Sequence, residues 1–510
     1  MFSFLRALFR THASGIALSL VLLVALVLRL VGLRFGLPYI YHPDEPAIIG
    51  PVRVMMQTGD FNPHWFNWPS FYIYIQLAVA SARYFYGVSK GQFDAVTGMA
   101  MQHFYPAGRL ATVLFGVATV YLVFLVGRKL FNRNVGIVAA LLLAVSFLHV
   151  RDSHYITVDV PATFFVTLSF FFSLLIFQEG KSKDYLFAGL FAGLAASTKY
   201  NGILILLSLF GAHFLGKQKP YLNRKLAVGV LSAAFGFLIG SPYALLDLPN
   251  FLNGVAFDIY HYTHGHLGYE GSNNWLFYLN YLFREGVGPG IFISAVGGLV
   301  LIFVKRDIKL LFVSLFPLIY FILISNYKVR FVRNIMPVIP FLSLVAAYFL
   351  LEGFRWLKER TALNKIVDYM IFGILLLAVI AVPFIRSLQF DIGSSLLPTR
   401  TLAAAWIEKN IPKGSKIAAN EYGPPLGDDH VVSTGNLTDY PFQFYRERGC
   451  DYLVLSSGDY GRFFREPERY ADIVRRYREF FEKGKLVKSF NGDSRVEEFL
   501  SPKISIYEVR

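Results

Sequence analysis

Charge and cysteine are what this sequence has least of. Only 16% of its 510 residues are Asp, Glu, Lys or Arg, against about 25% in ordinary globular chains, which argues against a soluble multi-domain protein. Its single cysteine, Cys450, excludes an internal disulfide and any cysteine-cluster metal site. Acidic residues are also scarce, 34 against 49 basic, for a formal net charge of +15. Such an excess suggests a nucleic-acid partner until it is mapped. From residue 386 onward there are 19 Lys+Arg against 18 Asp+Glu, a balance of +1, so +14 lies in the earlier part. Much of it sits in short loops, as the positive-inside rule predicts for a membrane protein. Nucleic-acid binding finds no support.

What the chain has in abundance is apolar surface: 55% hydrophobic and 17% aromatic residues. Apolar runs of roughly 20 residues, the length that crosses a bilayer, recur from residue 14 to about residue 385, after which the composition becomes globular. The first run, Gly15 to Leu33, lacks a small-residue cleavage site after it and reads as a retained helix rather than a signal peptide. Arg6 and Arg10 precede it, which places the amino terminus in the cytoplasm. Further spans are expected at 106–127, 134–150, 160–178, 184–198, 201–216, 226–243, 286–304, 310–325, 334–351 and 366–385. Five successive even-numbered spans end in basic clusters, such as Arg128-Lys129, Lys305-Arg306 and Arg355 to Arg360. The stretch from Pro69 to Val88 is apolar enough to pass for a span, but a crossing there would invert every later loop. With Gln76, Arg83 and four tyrosines it reads as an interfacial helix.

The expected architecture is an all-α polytopic membrane domain over residues 1–385, with about eleven transmembrane helices and interfacial helices in its first outer loop. A small soluble α/β domain follows at 386–510, on the extracytoplasmic side of the cytoplasmic (plasma) membrane. In it a helix is expected over Thr401 to Asn410 and another around 467–482. Strands are expected at Lys416 to Ala419, Tyr452 to Ser456, Leu486 to Phe490 and Ile504 to Val509. Asp428-Asp429-His430 reads as a solvated turn.

Polar residues that carry chemistry collect in the outer loops. Asp44 and Glu45 follow the first span, and two adjacent carboxylates there are costly unless used; Glu45 alternatively caps a helix beginning at Pro46. Asp159 precedes Pro161 and the next span, at the same expected depth as Asp44. One such acid can take a proton from an acceptor hydroxyl while the other orients it or binds a divalent cation, for which Glu45 and Asp159 are the available acids. Asp159 alternatively caps its helix, and Asp152 alternatively pairs with Arg151. Asp152 and His154 stand in the second outer loop. Lys199, with Tyr200, occupies the tight turn between two spans, a costly place for an unpartnered lysine. Arg330 and Arg333 precede Pro337, and Arg109 begins the span after the first outer loop. Cations at this depth suit a phosphate ester at headgroup level, which arginine grips bidentately; they also suit snorkelling toward lipid. The loop at 244–285 sets His261, His264 and His266 among tyrosines, a mixture that fits sugar faces as well as a membrane interface.

These residues fall in an order that resembles the integral-membrane glycosyltransferases of the C superfamily: protein O-mannosyltransferases, lipid A aminoarabinose transferases and, more distantly, oligosaccharyltransferase catalytic subunits. The resemblance covers nearly the whole chain. It rests on His42-Pro43-Asp44-Glu45, Phe66-Asn67-Trp68-Pro69, Gly108-Arg109-Leu110, Val158-Asp159-Val160-Pro161, Thr198-Lys199-Tyr200-Asn201-Gly202 and Lys328 to Arg333 before Pro337 and Pro340. It implies transfer of a sugar from a polyprenyl-phosphate carrier on the outer membrane face, with inversion at the anomeric carbon. Asp44 would be the base or acceptor-positioning group and Asp159 the second acid, and the carrier phosphate would meet Lys199, Arg330 and Arg333. The expected partners are thus a polyprenyl-phosphate-linked sugar, membrane lipids, and an acceptor glycan, lipid or protein; no cofactor is certain. A transporter or flippase for lipid-linked sugars is the alternative. It calls for polar groups at the membrane midplane and broken helices, whereas the ionisable residues here crowd one surface.

Overall fold

The computed structural model describes residues 2–216, 221–271, 273–361, 364–427 and 429–509. Two compact units divide the chain: one comprises Met1–Leu30, Ala47–His266 and Glu270–Leu388, the other Val31–Pro46, Leu267–Tyr269 and Gln389–Arg510.

The first unit is built of helices. The expected spans fall on helical residues, although two of them are divided: 134–150 into Arg133–Val145 and Phe147–Asp152, and 201–216 into the 3-10 segment Tyr200–Ile205 and Leu206–Leu215. Among the described residues, six stretches are long and apolar enough to cross a bilayer by themselves, Met101–Leu130, Asp159–Gln178, Gly288–Lys305, Ile308–Ser325, Val332–Arg360 and Ile366–Asn410, and this makes the chain a multi-pass membrane protein. Gly15–Leu30, Arg133–Val145 and Tyr200–Leu215 are shorter apolar helices. The helix Phe71–Ser89 is not among the long apolar ones. Of the basic cluster expected after residue 216, Lys217 and Lys219 lie outside the described residues.

Small residues let these helices approach closely, the usual device where no hydrophobic effect separates helix from lipid. Helices Ser182–Thr198 and Arg224–Gly240 pack through glycine. A Cβ added at Gly189 would stand 1.9 Å from the Gly229 carbonyl oxygen, and one at Gly193 would stand 2.1 Å from that of Ala233. Helix Asp159–Gln178 joins them, Ser169 Oγ donating to the Ala188 carbonyl at 2.7 Å. This packing sets the height at which Asp159 begins one helix and Lys199 follows the end of another. The first span carries a charge within it. Arg29 is fully buried, and its guanidinium donates to the carbonyls of Ala25 (2.9 Å) and Ala144 (3.0 Å) and to His149 Nδ1 (2.9 Å). It thereby serves a carbonyl that the end of helix Arg133–Val145 leaves without an intrahelical donor.

The second unit holds a five-stranded sheet, with β1 Lys416–Ala419, β2 Val431–Thr434, β3 Tyr452–Ser456, β4 Lys485–Phe490 and β5 Ile504–Glu508 in the order β2-β1-β3-β5-β4. The first three strands run parallel, and β5 is antiparallel to both β3 and β4. Alternation along the strands builds two cores. Ile417, Val454, Ile504 and Ile506 pack with Ala403 and Ile407 of helix Thr399–Asn410. Ala418, Leu453, Leu455 and Tyr507 pack with Val474, Tyr477 and Phe480 of helix Ala471–Lys483. Strand β2, which directly follows the Asp428-Asp429-His430 turn and is as short as β1, was not expected. Asp428 of that turn lies outside the described residues.

Burial pushes the Asp459 carboxyl from its usual 3.8 up to about 7, although it accepts the Tyr422 N–H at 3.0 Å. A carboxyl that stays protonated longer when folded costs stability as pH rises from about 4 to about 7. Asp459→Asn keeps the acceptor without the charge. Its unfolding midpoint relative to wild type is expected to rise across that interval and to level off above it. A difference that does not change with pH contradicts this.

Candidate active site

Within the first unit, a buried ion pair joins residues 40 positions apart. Lys199 Nζ donates to Asp159 Oδ1 at 2.7 Å and to Asn334 Oδ1 at 3.0 Å. Asp159, Lys199 and Asn334 are 3%, 7% and 1% exposed. Taking two charges out of water is tolerable only when their hydrogen bonds are met, and Asn334 meets one of them. Its orientation follows from chemistry: Oδ1 must face the ammonium, and it also accepts the Tyr262 hydroxyl at 3.2 Å. The Asn334 carbonyl takes the Tyr320 hydroxyl at 3.0 Å, and Asn201 Nδ2 donates to that hydroxyl at 2.8 Å. Lysine has three N–H donors, so Asp159 and Asn334 leave one for a ligand oxygen.

Arg333 stands on the other side of Asp159, with Nε 3.9 Å from Oδ2, and its guanidinium lies over the Phe331 ring at 4.5 Å. Arg330, three residues earlier, lies over Phe277 at 5.3 Å. His261 stacks on Phe331 at 6.0 Å; burial first and Arg333 second lower its pKa. Asp152 pairs with its neighbour Arg151 at 2.6 Å, as the simpler expectation had it. Burial raises the Asp152 carboxyl against that pairing, with Asp159 and Arg333 close enough to act on it.

The remaining expected residues of this unit make contacts of their own. Tyr200 donates to the Phe66 carbonyl at 2.7 Å. His154 Nδ1 bonds the Val150 carbonyl at 3.0 Å, one helical turn back. His264 stacks on Tyr260 at 4.0 Å at the exposed end of helix Leu248–His264. Arg109 is buried beside Tyr105 in helix Tyr105–Leu130. Among the described residues, no three His, Cys, Asp or Glu side chains gather where a metal ion would sit.

Asp44 and Glu45 belong to the second unit. Helix Glu45–Thr58 begins at Glu45, so Asp44 rather than Glu45 precedes the first helical residue, and Glu45 is buried in the first turn. A carboxylate there suits the positive end of the helix dipole. The Asp44 N–H donates to His42 Nδ1 at 3.2 Å.

Asn334 and Asp258 were not foreseen, and Tyr262 was read only as one of the tyrosines of the 244–285 loop. Asp258 lies one turn before Tyr262 in helix Leu248–His264. Burial pushes it from 3.8 up to about 6, and Lys199 pulls it back. The i, i+4 spacing of Asp258 and Tyr262 was the available signal.

The family described as dolichyl-phosphate-mannose-protein mannosyltransferase matches residues 97–245, which hold Asp159 and Lys199. An uncharacterized protein of Aquifex aeolicus (strain VF5) is 26% identical over 182 residues, 35% of this chain; the match spans about a third of that relative, 34%. Among solved structures, ArnT from Cupriavidus metallidurans bound to undecaprenyl phosphate aligns over 96% of this chain and 98% of its own, with a TM-score of 0.55 and 15% identity. The oligosaccharyltransferase AglB from Archaeoglobus fulgidus, in complex with an inhibitory peptide and a dolichol-phosphate, aligns over 94% of this chain and 73% of its own, with a TM-score of 0.55 and 13% identity. The chain thus has the fold of ArnT and AglB, and over residues 97–245 its sequence resembles the dolichyl-phosphate-mannose-protein mannosyltransferase family.

Proposed function

We propose that this chain moves a sugar from a polyprenyl-phosphate carrier to an acceptor hydroxyl or amine at the outer membrane face, with inversion at the anomeric carbon. The observation that carries the reading is the Lys199–Asp159–Asn334 cluster flanked by Arg333. Lys199, paired with Asp159, keeps one ammonium N–H to give, and Arg333 brings a second cation to within 3.9 Å of the same carboxylate. Solved relatives of the same fold hold undecaprenyl phosphate or dolichol-phosphate, and that is the ligand class such a cluster suits.

In the reaction the acceptor oxygen or nitrogen attacks the anomeric carbon from the face opposite the phosphate. The bond from that carbon to the phosphate oxygen breaks, and its electron pair leaves with the lipid phosphate. The acceptor proton passes to the Asp44 carboxylate. The leaving group's charge grows by one unit, and cations already fixed in a water-poor place stabilise it without reorganising. Lys199 and Arg333 supply that stabilisation, with Arg330 as a third cation. Asp159 holds Lys199 in orientation, and His261 with the surrounding tyrosines offers stacking faces to sugar.

The direct test is binding of undecaprenyl phosphate to the purified protein in nanodiscs. Arg333→Ala removes a charge-assisted contact worth about 1.5–3 kcal/mol, so affinity is expected to fall roughly tenfold or more. Equal affinity in wild type and variant contradicts the assignment.

The sidedness rests on the basic clusters that follow alternate spans. Cysteines placed at exposed Asp60, Lys328 and Lys413, in the first outer loop, the loop before Pro337 and the carboxyl-terminal domain, are expected to react with a membrane-impermeant thiol reagent added outside intact cells. Labelling of residues 399–510 only after the cells are opened contradicts this placement.

A further inference from the structure

Residues 31–46, which carry Asp44, fold with the carboxyl-terminal α/β domain rather than with the helices that flank them in sequence. Tyr41 is 3% exposed, and its hydroxyl bonds Thr401 Oγ1 at 2.7 Å. The Arg400 guanidinium lies over the Tyr41 ring at 4.3 Å and within 6.0 Å of the Tyr422 ring. Arg400 Nε is fixed in turn by the Gly423 carbonyl at 2.8 Å. His42 meets Phe499 edge-on at 5.7 Å, and Phe499 meets Tyr422 at 6.2 Å. A ring of contacts therefore runs from Tyr41 through Arg400, Tyr422 and Phe499 to His42. It closes on the reactive residue, because His42 Nδ1 takes the Asp44 N–H.

A solvent-exposed loop does not need a buried arginine sandwiched by aromatic rings to hold it. We propose that Arg400 and Thr401 are positioning residues for Asp44, so that the carboxyl-terminal domain is the jig that sets the acidic segment rather than an appended module. The inference rests on the reading that Asp44 receives the acceptor proton. Neither residue touches substrate; both act through Tyr41 and the turn that follows it.

The test uses the full chain in nanodiscs, with hydrogen exchange of residues 39–46, undecaprenyl phosphate binding, and turnover of a lipid-linked sugar. Removing the cation–π and hydrogen-bond contacts in Arg400→Met is expected to speed exchange over 39–46 by about tenfold and lower turnover by a similar factor. Affinity for undecaprenyl phosphate should stay within about twofold of wild type. Arg400→Lys, which keeps a cation over the ring, should recover most of both losses. Tyr41→Phe removes only the bond to Thr401 and is expected to loosen the segment about threefold, so the question remains answerable if Arg400→Met does not fold. Unchanged exchange in both Arg400→Met and Tyr41→Phe overturns the clamp, and a loosened segment with wild-type turnover overturns the positioning role. Asp44→Asn with wild-type turnover fails the underlying reading instead, and is scored in its own variant.

Discussion

Asp44→Asn is expected to lower sugar transfer by about 10²–10⁴-fold, the usual contribution of a general base. The substitution keeps the shape of the side chain and removes the charge proposed to accept the proton. The cations proposed to meet the carrier are separate residues, so undecaprenyl phosphate should bind the variant as it binds wild type. The combination is diagnostic. A variant that loses carrier binding with turnover has lost its fold or its donor site, whereas one that keeps binding has lost chemistry. Glu45→Gln is expected to act mainly on stability, by on the order of a kcal/mol, since Glu45 sits in the first turn of its helix. Rescue of Glu45→Gln turnover by added divalent cation would assign the acids to a metal instead.

The second large effect concerns Lys199. Lys199→Met alone is expected to destabilise the protein by about 3–5 kcal/mol, because it strands a buried carboxylate. Asp159 would keep Arg333 as a neighbour, but at 3.9 Å and on the other oxygen. A loss of binding in the single variant is therefore ambiguous. Lys199→Met combined with Asp159→Asn removes both charges, and thermal unfolding in detergent should return close to wild type. Carrier affinity should not return, and is expected to stay at least about tenfold weaker. A double variant that binds undecaprenyl phosphate normally would show the pair to be structural.

Much of the membrane part was legible in the sequence because hydropathy is a local property. The eleven expected spans each meet a helix, and Thr198-Lys199-Tyr200 stands at the turn where it was expected. What lay beyond reach depends on pairs far apart in the chain. Nothing local links Asp159 to Lys199, or either to Asn334, 135 residues further on. Lys199 and Arg333 were read as cations for a ligand, and the pairing of both with Asp159 emerges only once the helices are packed. Likewise, the contact of Tyr41 with Thr401 spans 360 residues, so the alliance of the acidic segment with the carboxyl-terminal domain left no trace in periodicity. In that domain β1, β3, β4 and β5 were readable, while β2, no shorter than β1, directly follows the Asp428-Asp429-His430 turn and was missed.

The most direct measurement of the proposed transfer does not require the sugar or the acceptor to be known. Cells carrying Asp44→Asn in place of the wild-type chain should be compared with wild-type cells by mass spectrometry of their lipid extracts. If the protein consumes a polyprenyl-phosphate-linked sugar, the variant cells will accumulate that lipid, its mass will name the sugar class, and the purified lipid will serve as donor for the turnover assays. Identical polyprenyl-phosphate lipid profiles in the two strains would contradict transfer from such a carrier.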